Sequence, residues 1–148
     1  MTDFRAVRRS IKTSLDTANL SGLHVHEHWP AALQPPPTGC VCVIQIAAVD
    51  YGLTFGADRS QVAVELHLFV SLAGGVGNAE DVLAPYISNT GASSLLQALR
   101  SDPYLSSTVA YALPPTGVRD LTVRQIGPGD NGASYLGATI PLLIHVTG

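Results

Sequence analysis

The 148 residues of the chain read as one α+β domain, residues 1–148, with a mixed, mostly antiparallel β-sheet and an N-terminal helix and two central helices packed on it. Three observations predict this. Apolar residues recur at spacings of three and four over residues 3–19, the period of a helix. Gln61 to Leu72 alternates apolar and mixed positions, the period of a strand. The last third holds three β-rich runs parted by Pro- and Gly-containing separators.

In chain order, Phe4, Val7, Ile11, Leu15 and Ala18 form the apolar stripe of the first helix, which Thr2 or Asp3 caps and Ser21-Gly22 ends. Arg5, Arg8, Arg9 and Lys12 occupy another face, so half of the 8 Lys and Arg residues sit on one helix. Leu23 to Trp29 is a strand stopped by Pro30, and Pro35-Pro36-Pro37 makes an extended connector. Cys40 to Ala48 is apolar on both faces apart from Gln45, which suits a strand covered on both sides. Asp50 to Asp58 is a loop that holds Tyr51 and Phe55.

In the alternating strand, Val62, Val64, Leu66, Leu68, Val70 and Leu72 face the core. Ala63, Glu65, His67, Phe69 and Ser71 face the other way. A Gly-rich turn then leads to a helix that Asn78 caps, with Glu80 and Asp81 in its first turn and Pro85 to kink or shorten it. A short helix follows from Ala92 to Ser101 and ends at Asp102-Pro103. Thr108 to Leu113, Val118 to Ile126 and Tyr135 to Val146 are strands, and Pro141 marks the last as an edge strand or a bulged one. The separator Gly127 to Gly132, with Asp130 and Asn131, is a hairpin tip.

Composition narrows the function. Only 13% of residues are charged, against roughly a quarter in ordinary soluble domains. Apolar residues make up 46%, and the mean hydropathy is +0.25. Disorder is excluded by that balance. A net charge of −3 gives no basic footprint for a dedicated nucleic-acid binder. Gln45, Glu65 and His145 interrupt the apolar runs before any reaches membrane-span length, so no membrane is expected. Met1 to Asn19 has no apolar run of the signal-peptide kind, so the chain is expected to act where it is made. A surface so poor in charge is expected to be hidden against something, and copies of the chain are the simplest partner.

Few residues suggest chemistry. His24, His26 and His28 would share one strand face, which makes a partial Zn or Ni site whose remaining ligands would have to come from Glu65, His67 or His145. The plainer reading is a solvated or interfacial strand face. Cys40 and Cys42 lack a second Cys pair and read as small buried hydrophobes. Gly74-Gly75-Val76-Gly77 stands where a dinucleotide fingerprint would stand, but Glu80 occupies the third glycine position. No P-loop, G-x-S-x-G or H-E-x-x-H is present, so no enzyme and no cofactor are expected. The basic helix face is either a docking surface or a solvated face.

The order of these features resembles the tail terminator proteins, also called tail-completion or neck proteins, of long-tailed bacteriophages. The resemblance covers nearly the whole chain. It rests on the amphipathic helix ending in Leu20-Ser21-Gly22-Leu23-His24-Val25, the strand running into Trp29-Pro30, the Pro35-Pro36-Pro37 loop, and the Tyr51-Gly52 and Phe55-Gly56 turns. It continues through Leu83-Ala84-Pro85-Tyr86-Ile87-Ser88, Ser93 to Leu99, Asp102-Pro103 and Tyr135-Leu136-Gly137-Ala138. The resemblance implies a virion subunit that assembles as a hexameric ring at the head-proximal end of the tail tube, after synthesis in the host cytoplasm. Its partners are the tail tube protein and a head-completion (stopper) or connector protein, and genomic DNA passes through the lumen without sequence-specific binding. The alternatives are a head–tail connector, adaptor or minor tail subunit, and a small metal- or ligand-binding cytosolic domain. The expected subunit and partner contacts are Arg5, Arg8, Arg9, Lys12, Tyr51, Phe55, Glu65, His67, Phe69, Asp130 and Asn131.

Overall fold

The alternating run becomes the middle of a sheet. The computed structural model describes residues 3–30, 39–50, 59–72, 74–105, 110–126 and 133–147. Its elements follow the expected order: α1 (Phe4–Ala18), β1 (Leu23–His26), β2 (Cys40–Asp50), β3 (Arg59–Ser71), α2 (Val76–Ile87), α3 (Leu95–Ser101), β4 (Ala110–Ala112), β5 (Arg119–Ile126) and β6 (Ala133–Thr147). The strands are ordered β1-β2-β3-β6-β4, and β5 also pairs with β6. The β1–β2 pair is parallel and the other pairs are antiparallel. The sheet curls into a half-barrel, and the fold is α+β.

One face of the sheet meets the helices. Cys42, Ile44, Val64, Leu66, Leu68, Ile140 and Ile144 join Val7, Ile11 and Leu15 of α1, Leu83 of α2 and Leu95 and Leu99 of α3 in one buried cluster. Strand alternation sends every second residue of β3 and β6 to this inner face, and these positions are aliphatic. Burying a leucine there contributes roughly 1.5–3 kcal/mol relative to exposure.

Several local expectations change. In α1 the stripe consists of Val7, Ile11, Ser14 and Leu15, while Phe4 and Ala18 are exposed. The helix begins where Asp3 accepts a hydrogen bond from the Ala6 N–H (3.1 Å) and ends at Asn19 in the left-handed region. The first strand ends at His26, because its parallel register to β2 covers only Leu23↔Cys40 to His26↔Val43. In α2 the cap is Gly75 (φ +88), not Asn78, which lies inside the helix. The start at Val76 also moves Glu80 and Asp81 out of the first turn. Pro85 lies near the end of α2, where few carbonyls remain to be bonded, and the Ser88 hydroxyl donates to the Ala84 carbonyl (2.7 Å). The short helix α3 begins at Leu95 rather than Ala92, because the Ser94 hydroxyl accepts from the Gln97 N–H (3.1 Å).

Pro141 is the largest revision. Its strand, β6, is internal, with β3 on one side and both β5 and β4 on the other. The β5 ladder reaches Arg119↔Thr139 and the β4 ladder begins at Ala112↔Ile144, so Pro141 falls in the gap between them. The Leu143 carbonyl accepts from the Leu113 N–H (2.9 Å) on that same side. Main-chain groups alternate sides along a strand, so the Pro141 nitrogen also points into the gap. Its missing N–H therefore costs no ladder bond.

Candidate functional site

The outer face of the sheet divides into a covered half and an open half. The covered half contains Val41, Val43, Phe69 and Tyr135, a buried cluster separate from the main core. Beyond β1 the chain leaves the sheet and brings Trp29 across this face. The Trp29 ring lies 5.4 Å from the His67 ring and 5.6 Å from Phe69, and Phe69 meets Tyr135 edge-on at 6.3 Å. His67 is 8% exposed and Phe69 0%. Both are thus buried within their own chain. Glu65 stays partly open, bound by the Arg119 guanidinium at 2.9 Å, with His67 Nε2 at 3.8 Å. Thr139 Oγ1 lies 3.3 Å from His67 Nδ1.

The open half lies beyond Glu65. Across the strands, Ala48 pairs with Ala63, Ala63 with Leu143, and the next row carries Gln61, His145 and Tyr111. The small alanines leave a shallow floor, and Leu143 on it is 41% exposed. The Leu113–Thr116 segment forms one wall of a cleft of about 400 Å³ that Pro141 and Arg119 also line. Arg100 holds that wall in place. Its guanidinium donates twice to the Pro115 carbonyl (3.2 and 2.9 Å) and once to the Asn89 side chain (2.6 Å). At the rim, Tyr104 and Tyr111 meet edge-on at 5.3 Å, with Tyr104 60% exposed.

The basic helix face is only partly neutralised. Lys12 pairs with Asp16 at 2.7 Å and Arg9 with Glu27 at 3.7 Å. Arg5 is exposed, and Arg8 keeps its Nε without a hydrogen-bond partner among the described residues. His24 and His26 line a cleft of about 480 Å³ with Lys12 and Asp16, but His28 lies past the strand end. Among the described residues, no group of three His, Cys, Asp or Glu side chains stands together to hold a metal ion. Burial pushes the Cys40 thiol up to about 12 and Cys42 higher still, so neither supplies a thiolate near neutral pH. Tyr51, Phe55, Asp130 and Asn131 lie outside the described residues.

Sequence reasoning missed Arg119, Leu143, Tyr104 and the cover by Trp29. One signal was available: Leu143 is a large apolar residue at an outward position of a strand whose inward positions are already aliphatic. The pairing of Arg119 with Glu65 had no local signal, because it depends on which strand lies beside β6. Compared with known protein families and with curated proteins, the chain matches none.

Proposed function

We propose that this chain is a structural subunit of a phage neck, a tail terminator that closes into a ring of about six copies on the tail tube and carries the joint to the head connector. The open half of the outer sheet face is the observation that carries this reading. Among the described residues, the floor of Ala48, Ala63 and Leu143 is open, with the Tyr104–Tyr111 pair near it, in a chain with 13% charged residues. Exposed apolar patches rimmed by polar residues mark interaction surfaces. The order of elements in the resemblance adds to it.

The test is imaging of tube ends. Purified chain added to polymerising tail tube protein is expected to stop tube growth and to appear as a closed ring at one end. Tubes of unaltered length with no ring at either end refute the reading. A ring on the connector side alone, with tube growth unchanged, identifies a connector or adaptor subunit instead.

A further inference from the structure

The N-terminal halves of α1 and α2 carry patches of opposite sign. On α1, Phe4 is 39% exposed and stands one helical turn from Arg8, with Arg5 beside it. On α2, Val76 is 47% exposed and stands one turn from Glu80, with Asp81 beside it. Among the described residues, Arg5, Arg8, Glu80 and Asp81 make no ion pair. Helix stability does not account for the arginines. Positive charge near a helix N-terminus opposes the helix dipole, and α1 has no acidic residue in its first turn.

Within one chain the two patches form no ion pair with each other among the described residues. The Tyr86 hydroxyl, near the end of α2, donates to the Ser21 carbonyl just past α1 (2.6 Å). The helices therefore approach near their C-terminal ends, while α1 packs mainly on α3 and β1 and α2 mainly on β3 and α3. We infer that the N-terminal half of α1, around Phe4, Arg5 and Arg8, docks on the N-terminal half of α2, around Val76, Glu80 and Asp81, of a second copy of this chain. The occupant follows from complementarity: one chain carries both halves, each an apolar anchor beside two like charges, and the signs are opposite. A contact that joins unlike patches is heterologous and propagates head to tail, the geometry a closed ring needs. The inference deepens the ring reading and rests on it for the second copy.

Charge exchange tests it. Self-association is measured by sedimentation at low and moderate salt for the wild type, for Arg5→Glu/Arg8→Glu, for Glu80→Lys/Asp81→Lys, and for the combination of all four changes. Each double variant is expected to weaken association by at least about tenfold, and the combination to bring it back to within about threefold of wild type. Salt is expected to weaken the wild type and the combination alike. Thermal unfolding of the variants under monomeric conditions controls for folding. Double variants that associate like wild type, or a combination that stays dissociated, overturn the contact. So does a wild type that remains monomeric at the highest attainable concentration. The tube-capping experiment decides the neck reading separately, since rings that cap tubes yet ignore all four changes defeat this contact alone.

Discussion

The two faces of one sheet are built from the same strands and end in different states. The inner face is aliphatic at Leu66, Leu68, Ile140 and Ile144, and three helices close over it. The outer face changes character along its length, from Phe69 and Tyr135 under Trp29 to Ala63 and Leu143 in the open. Cover on the inner side comes from long amphipathic elements. On the outer side, among the described residues, the Trp29 ring carried past the end of β1 lies against His67 and Phe69. The lesson is that alternation decides which residues share a face, while the elements that pack on it decide how much of that face is covered.

Truncation on the two faces is the strongest way to break this contrast. Leu66→Ala, at a fully buried inner position, is expected to lower the unfolding free energy by about 3–5 kcal/mol, as leucine-to-alanine cavities do. Leu143→Ala, on the open floor, is expected to cost about 1 kcal/mol or less. Urea denaturation of the two variants measures both. Equal losses would mean that the outer floor is packed as tightly as the core, and the contrast would fall.

The inner face also sets a pH dependence. Cys40 and Cys42 lie buried in β2. In the unfolded chain each thiol titrates near its ordinary value of 9.0, whereas burial raises Cys40 to about 12 and Cys42 further. The native state therefore holds protons that the unfolded state has released. Stability is fully present below the ordinary thiol range and falls as pH rises through it, by about 1.4 kcal/mol per unit for each thiol. Between pH 8 and pH 10 the loss is expected to reach about 3 kcal/mol for the two. Denaturation midpoints of the wild type and of Cys40→Ala/Cys42→Ala, compared at both values, isolate the thiols from other titrating groups.

On the outer face, Trp29 is the cover to remove. It is 44% exposed yet touches both His67 and Phe69. Trp29→Ala is expected to cost about 2 kcal/mol, from two aromatic contacts of roughly 0.5–1.5 kcal/mol each and the area uncovered. Trp29→Phe is expected to recover about half of that. The figure lies between the values for Leu66 and Leu143, as a half-covered surface requires. Thermal unfolding checks it, and a loss as large as that of Leu66→Ala would place Trp29 in the core proper.

Much of this was readable in the chain, for physical reasons. Period alone placed α1 and β3, since Val7, Ile11 and Leu15 or Val64, Leu66 and Leu68 need only local geometry to share a face. Pro141 misled, because a proline is costly in an inner strand only where its nitrogen faces a partner. The gap between β5 and β4 is a property of the whole sheet, invisible along the chain. The Asn78 cap failed because Gly75 reaches a backbone conformation (φ +88) that lets the helix begin earlier. The basic face of α1 was legible as a cluster, but which cations Asp16 and Glu27 neutralise required the fold. Trp29 was read as a strand residue, because nothing local says that the strand ends three residues before it.

The smallest expected effect concerns a polar seam within the helix layer of the inner face. Ser14 takes a place in the apolar stripe of α1, and its hydroxyl donates to the Asp102 carboxylate at the end of α3 (2.9 Å). The bond ties the first helix to the third across 88 residues of chain. Ser14→Ala removes the donor and leaves the acceptor in place. Asp102 has a further interaction, so its carboxylate is not stranded, and the cost should stay near the ordinary net value of about 1 kcal/mol. In melting temperature that is a drop of roughly 2–4 °C for a chain of this size. Asp102→Asn keeps an acceptor oxygen and should recover part of the loss seen with Asp102→Ala. If Ser14→Ala costs nothing, packing alone joins α1 to α3, and the inner face needs no polar contact to hold its cover.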